Sequence, residues 1–471
     1  MGARVRFTAE SGDCRVGVSD DGGSDPAMQG GQGSSQSQRP LAIIPKVREQ
    51  LRLVSGDLFT PRNVLIGPYH DEKEYYSFPW MEEKKKAVHN LQCLVGSDLA
   101  DLKSTLAGLR RQVRSCYTHL PDDHYMDRGD DFTLMLLRDG CYLLSFFIDF
   151  VKPHAAATDS SNCEGGGREQ KVLATKDNTM FRDILYLLEN QIPLFVLETI
   201  LKQYRAHDEP QSALECIATR VERHLQKQLY ISKTTRPVPS MSTSSDLLRL
   251  LYSYFRRRTQ EEADSSLRLR EEEQQGRSLT GRWRRATDYS RYADLRFELK
   301  GFRPDEEWTI LDIQLHGGTM YIPLLRVDSN TWTMLRNLMA LEEEEEKRPV
   351  TAYCYFMSQL ACTAEDVGLL QRAKVLEHFF GSDEQAAQGF NQLCDGMALD
   401  IDNLDRNYLK PFWHQLHKRC KKPVNQFKGF FREKYCGTLF HRMVFSIALF
   451  FFVTQAMQVV YAALSYHKPP K

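Results

Sequence analysis

The 471-residue chain has no phosphate-binding Gly-rich loop, no Gly-x-Gly-x-x-Gly, no Gly-x-Ser-x-Gly and no His-Glu-x-x-His. The nucleotide, α/β-hydrolase and zinc-protease chemistries read from those spacings therefore have no foothold. It has no Asn-x-Ser/Thr acceptor, and its eleven cysteines are odd in number and irregular in spacing. Reduced thiols fit better than a disulfide framework. The first forty residues lack the apolar core of a secretory signal. Rich in Gly, Ser, Gln and Asp, residues 1–40 read as a disordered tail.

What is present is a run of 22 residues without charge, Met443–Leu464. As a helix it reaches about 33 Å, against about 30 Å for a bilayer core. Insertion is expected to fall to this segment. Net charge is zero overall but uneven. Residues 418–471 hold ten Lys/Arg and one acid, Glu433, which leaves 52 basic and 61 acidic side chains elsewhere. A mildly acidic body argues against nucleic-acid binding, and the basic collar suits anionic lipid headgroups. Lys418, Arg419, Lys421, Lys422, Lys428, Arg432, Lys434 and Arg442 are the expected lipid contacts. These eight precede the span and only Lys468 and Lys471 follow it, so the positive-inside rule places the body in the cytosol. Within the span, Gln455 and Gln458 share a face at i, i+3 and are candidates for an interhelical contact. The plainer reading is polarity offset by Phe450, Phe451 and Phe452.

Apolar periodicity predicts a mainly α body. Ser97 reads as an N-cap before Leu99, Leu102, Leu106, Leu109 and Val113. A more deeply buried helix runs from Phe132 to Phe150. Asp177 and Asn178 are positioned to cap a third helix, and Pro193 breaks or kinks it. Further helices are expected near 211–228, 244–258, 330–341, 350–361, 365–380, 383–396 and 402–420. Trp308–Leu315 and Thr319–Val327 flank Gly317-Gly318 and read as a hairpin, with Pro323 making the second strand an edge. Residues 256–290 read as a charged, partly disordered insertion, with Arg282-Trp283-Arg284-Arg285 solvated. Glu342–Glu346 reads as an exposed acidic turn. The resulting organisation is a helical body in two halves (41–255 and 291–420), a basic juxtamembrane segment (421–442) and a transmembrane helix (443–464). No coiled coil is expected.

Three constellations invite chemistry. His414, His417 and Cys420 recur at i, i+3, i+6, yet Lys418, Arg419, Lys421 and Lys422 would repel a cation there. Cys141 could act as nucleophile with His70 as base, but it lies in an apolar stretch where thiols are inert. Glu189 could serve as general base; more simply, Glu189-Asn190-Gln191 caps the helix end freed by Pro193. A hydrolase using Cys141, His70 and Glu189 thus stands as the alternative to a non-enzymatic interaction protein. No catalytic residue, cofactor or metal is assigned. The partner is an unidentified protein, and a homo-oligomer is left open.

Ordered blocks carry a resemblance. Ile44-Pro45-Lys46-Val47, Phe59-Thr60-Pro61 and Ile66-Gly67-Pro68-Tyr69-His70 open it. Met81-Glu82-Glu83-Lys84-Lys85, Asp139-Gly140-Cys141-Tyr142 and Leu187-Leu188-Glu189-Asn190-Gln191-Ile192-Pro193 follow. Ile322-Pro323-Leu324, Arg336-Asn337-Leu338-Met339-Ala340, Glu365-Asp366-Val367, Gly381-Ser382-Asp383 and Phe390-Asn391 complete the order. Together they resemble the plant domain-of-unknown-function-247 family, also called uncharacterised protein family 0481. Arg138, Ser145 and Ala293–Phe302 depart from its usual pattern, as in a divergent branch. The resemblance implies a plant protein, a largely helical body and a C-terminal membrane anchor. It supplies no catalytic residues. Some grass members are associated with self-incompatibility, which implies a recognition or signalling role.

Overall fold

The computed structural model describes residues 43–70, 79–95, 99–118, 120, 129–148, 179–204, 211–232, 245–255, 283–302, 306–398, 403, 406–436 and 439–466. The predicted helical body is present. After α1 (Glu49–Ser55) come α2 (Pro79–Val95), α3 (Leu99–Arg114) and α4 (Gly129–Phe147). The apolar spacing of α3 turns Leu102, Leu106 and Val113 inward. α4 is buried on nearly every side, from Phe132 to Phe147, because α2, α3 and α5 (Leu194–Tyr204) all pack on it. Gly140 makes one of those contacts possible, since a methyl group there would overlap Ile200 of α5. Ser97, Phe150, Asp177 and Asn178 lie outside the described residues.

The helical stretch expected to break at Pro193 already ends at Tyr186, and α5 begins directly after Pro193. The preceding turn, Arg182–Tyr186, is π-helical. Next come α6 (Gln211–Lys227) and α7 (Leu247–Ser253), then α8 (Ala286–Tyr292). Trp283, expected in solvent, is buried edge-on against Phe356, with ring centres 4.9 Å apart. The adjoining Arg285 pairs with Asp288 at 3.4 Å. An indole's apolar area outweighs the charge of its neighbours, which extend along the surface.

The β structure departs further from expectation. β1 (Arg296–Leu299), β2 (Gln314–His316) and β3 (Thr319–Ile322) form one sheet in the order β1-β3-β2. β2 and β3 form the predicted hairpin, antiparallel around Gly317 and Gly318, both of which hold positive φ, but the strand expected from Trp308 begins only at Gln314. The strand expected over Thr319–Val327 is divided. Pro323, with no N–H to donate, stops the ladder. β4 (Leu325–Val327) instead joins β5 (Leu376–His378) in a separate parallel pair. β3 is consequently the central strand of its sheet, not an edge. β5 also shortens the helix expected over 365–380 to α11 (Ala364–Arg372).

α9 (Ser329–Glu342), opened by an Asp328/Thr331 capping box, and α10 (Pro349–Leu360) lie deep in the body. Glu342 corrects the acidic-turn reading. Its side chain is 0% exposed and accepts from the N–H groups of Val350 and Thr351 (2.9 and 2.7 Å). It thereby caps the first turn of α10, where the helix dipole favours an anion. Two neighbouring acids are also engaged, Glu343 with Arg48 and Glu345 with Arg249. α12 (Asp383–Gln392), α13 (Lys410–Cys420), α14 (Pro423–Cys436) and α15 (Leu439–Tyr466) complete the chain. Core residues from Ile44 to Cys420 belong to one hydrophobic cluster, so residues on either side of 256–290 share a core.

Candidate functional site

Residues 59–70 are irregular backbone with 64–68 buried, and each buried N–H there needs an acceptor. The acceptors come from the other motifs. One carboxylate oxygen of Asp183 receives the N–H groups of Arg62, Asn63 and Val64 at 2.9, 2.5 and 3.1 Å. Its second oxygen takes Arg182 Nη1 at 2.6 Å, and that guanidinium also donates to the carbonyls of Asp57 and Thr60. Asn190 Oδ1 accepts from Ile66 N–H at 2.7 Å, while its Nδ2 donates to the Val64 and Asp183 carbonyls. Asp139 accepts from Gly67 N–H at 2.8 Å. Gly67 has φ +78°, and a methyl there would overlap the Gln191 carbonyl.

The same junction reaches both ends of the body. Tyr69 Oη donates to the carbonyls of Ile44 and Thr118 at 2.7 and 2.9 Å. Glu189 accepts from Val47 N–H at 2.6 Å and pairs with Arg52. From α9, Asn337 accepts from Leu188 N–H and donates to the Leu58 carbonyl, both at 2.9 Å. Its neighbour Arg336 donates to the Gln392, Leu393 and Asp395 carbonyls at the end of α12. Of the expected capping trio, Gln191 does cap the turn before Pro193, donating to the Ile184 and Leu187 carbonyls. Asn190 does so in part. Glu189 does not, being turned toward the 47–52 segment.

This arrangement is a joint, and it is unfavourable for nucleophilic chemistry. Burial pushes the Cys141 thiol up to about 12, the reverse of what a nucleophile needs. Burial, with Arg52, Lys84 and Lys46 nearby, holds His70 down at about 4. Glu189 is raised by burial, against the pull of Arg52. No hydrogen bond joins any two of Cys141, His70 and Glu189. The one buried lysine–carboxylate pair beside them, Lys84 with Asp139, lies under Trp80, and burial raises Asp139 despite the ammonium. Among the described residues no three His, Cys, Asp or Glu side chains cluster as metal ligands. His414 and Cys420 face the core, and His417 stacks on Trp413.

The C-terminal end has the opposite character. Met443–Tyr466 carries no charged residue, and its most apolar 18-residue stretch has mean hydropathy 2.0 with no residue buried. Gln455 and Gln458 are exposed on it, and Thr454 satisfies its hydroxyl on the carbonyls of Phe450 and Phe451. The eight collar cations divide. Arg432 turns inward, pairing with Asp294 at 2.5 Å and donating to the Ser290 and Leu295 carbonyls. Arg419 lies over Gly318 and donates to the Ala293 carbonyl. Lys418, Lys421, Lys422 and Lys428 are exposed. The Lys434 and Arg442 side chains lie outside the described residues. Gly429 was the residue missed in the sequence. It sets α14 against the Arg291 carbonyl at the end of α8, too close for any Cβ.

Sequence relatives match this chain over most of its length. The profile of the family described as plant protein of unknown function, DUF247, matches residues 44–454. The UPF0481 protein At3g47200 of Arabidopsis thaliana is 23% identical over 456 residues, covering 92% of this chain and 90% of the relative. The putative UPF0481 protein At3g02645 of the same plant is 24% identical over 441 residues, covering 76% and 78%. No solved structure matches. The motifs that stitch residues 44–70 to 182–193 and α9 span that matched region, and the chain belongs to the plant DUF247 (UPF0481) family.

Proposed function

We propose that this chain is a single-pass membrane protein whose cytosolic helical body recognises other proteins. One observation carries the reading: a long apolar helix with none of its most apolar stretch buried stands on a body that has its own core. An apolar helix left in water would be strongly unfavourable, and about 24 residues suffice to cross the hydrocarbon. The cation excess before the span supports a cytosolic body. A recognition role is supported by what the junction lacks, since its acids and amides are committed to backbone groups and its thiol is held protonated. The exposed Gln455 and Gln458 offer a lateral contact within the membrane. Co-purification of the full chain in mild detergent recovers a saturable protein partner on this reading. A strictly solitary monomer at all concentrations overturns it. Protease protection of terminal tags in microsomes tests the topology separately, and a protected N-terminal tag reverses the cytosolic placement.

A further inference from the structure

We infer that α14 is an interfacial helix that lies in the headgroup layer of an anionic leaflet, with Val424, Phe427 and Phe430 inserted. The inference rests on α15 spanning the bilayer, as proposed above.

Two faces of α14 are fixed by different partners. Asn425, Gly429 and Arg432 follow one another at three- and four-residue spacing. Gly429 and Arg432 turn toward α8, while Asn425 Nδ2 donates to the Arg419 carbonyl. On the other side, Val424, Phe427 and Phe430 recur at three-residue spacing and are 61%, 67% and 50% exposed. Three large apolar groups that stay at least half exposed on one helix side call for an occupant. Phe431 sits at the edge of this strip and meets Phe445 of α15 edge-on at 4.9 Å. The apolar strip is thus continuous with the opening turns of the span.

That continuity selects the occupant. Whatever surrounds Met443 and Val444 also reaches the α14 strip, and the span is surrounded by lipid. Lys421, Lys422 and Lys428 flank the strip and are exposed, so apolar residues sit among cations, as in helices bound at membrane surfaces. Each cation near an anionic surface adds about 1 kcal/mol of attraction. A second copy docked through the same strip would bring the two sets of lysines together, because a two-fold interface is self-complementary. The assignment also narrows the lipid-facing set. Arg432 and Arg419 serve the body, leaving Lys421, Lys422 and Lys428 for headgroups.

The test uses the full chain in vesicles of phosphatidylcholine with a minority of phosphatidylserine. Phe427→Trp and Met457→Trp each add one indole to the five native ones, whose emission is subtracted using the parent protein. On this inference the Phe427→Trp emission is blue-shifted and most of it is lost to lipids brominated near the top of the acyl chain. Met457→Trp is quenched by lipids brominated deeper. Omitting phosphatidylserine weakens the quenching at 427 and leaves that at 457 unchanged. If Met457→Trp is quenched while Phe427→Trp emits as in water, α14 is not interfacial and the inference falls alone. Blue-shifted emission at 427 that no brominated lipid quenches means a protein surface, such as a second copy, covers the strip; this too overturns it. If neither position is quenched, the span itself is wrong and both readings fall.

Discussion

The motif junction and the C-terminal helices invert each other. At the junction, carboxylates and amides are inside and irregular backbone runs among them, with Asp183 alone receiving three N–H groups. At the other end, phenylalanines and valines are outside on regular helix. A buried polar group is tolerable only when hydrogen-bonded, and an exposed apolar one only when its surroundings are not water. The junction supplies its partners from within the chain, and the apolar C-terminal helix relies on an environment. Perturbing each end should therefore give different kinds of loss.

The largest effect is expected at Asp183. Asp183→Ala strands three N–H groups and the buried Arg182, at a cost of about 3–5 kcal/mol. Chemical denaturation in detergent reads this as a large fall in midpoint, while the intact anchor keeps the protein in the membrane fraction. Loss of membrane association without loss of stability would break the comparison.

Next is Glu342, whose buried carboxyl titrates at about 7, against 4.5 when free. A raised acid favours the folded state most below the free pKa. Its contribution, roughly 3 kcal/mol, disappears as pH rises from about 4.5 to 7. His70 and His224, both lowered to about 4 by burial, act with opposite sign. Their contribution is full above 6.5 and is lost as pH falls through 4. The stability of Glu342→Gln relative to the parent isolates the acid, and this difference should grow over pH 4.5–7. A flat difference would show that Glu342 is not held neutral.

Gly429→Ala sharpens the comparison at the border between the two ends. Its methyl meets the Arg291 carbonyl, so α14 should lift from α8 at a cost of about 1–3 kcal/mol. Amide exchange should accelerate at 286–292 and 423–432, while exchange in α4 stays slow. The smallest effect belongs to the span. Gln455→Leu with Gln458→Leu should weaken any lateral association by about 1 kcal/mol, read as the donor–acceptor transfer between labelled copies in vesicles. Unchanged transfer would leave those amides facing lipid.

Helix positions were legible because a 3.6-residue period is local and one face of each helix meets the core. Pairings across the chain were not. Pro323 explains why Thr319–Val327 divides, but nothing local shows that Leu325–Val327 finds Leu376–His378. Glu342 opens a run of five acids and reads as solvated; its partners are the N–H groups just past Pro349. A Pro at a helix start with an acid a few residues before it was the available signal. Counting charges located the basic collar, yet Arg432 and Lys428 count equally, and only the face chosen by Gly429 separates them. Asn190 and Gln191 were readable as caps because the Pro193 break needing them is adjacent. The carbonyl that Asn337 serves lies 279 residues away at Leu58.

That distance has a consequence in time. The ribosome releases Leu58 long before Asn337 exists, and at about 5–20 residues per second the interval is on the order of 15–60 s. Throughout it, residues 57–67 have only part of their hydrogen-bonding set, and the core they cover is open. The nascent chain thus keeps that part of its apolar surface open for the whole interval. Its first segment is locked in only shortly before the apolar span emerges.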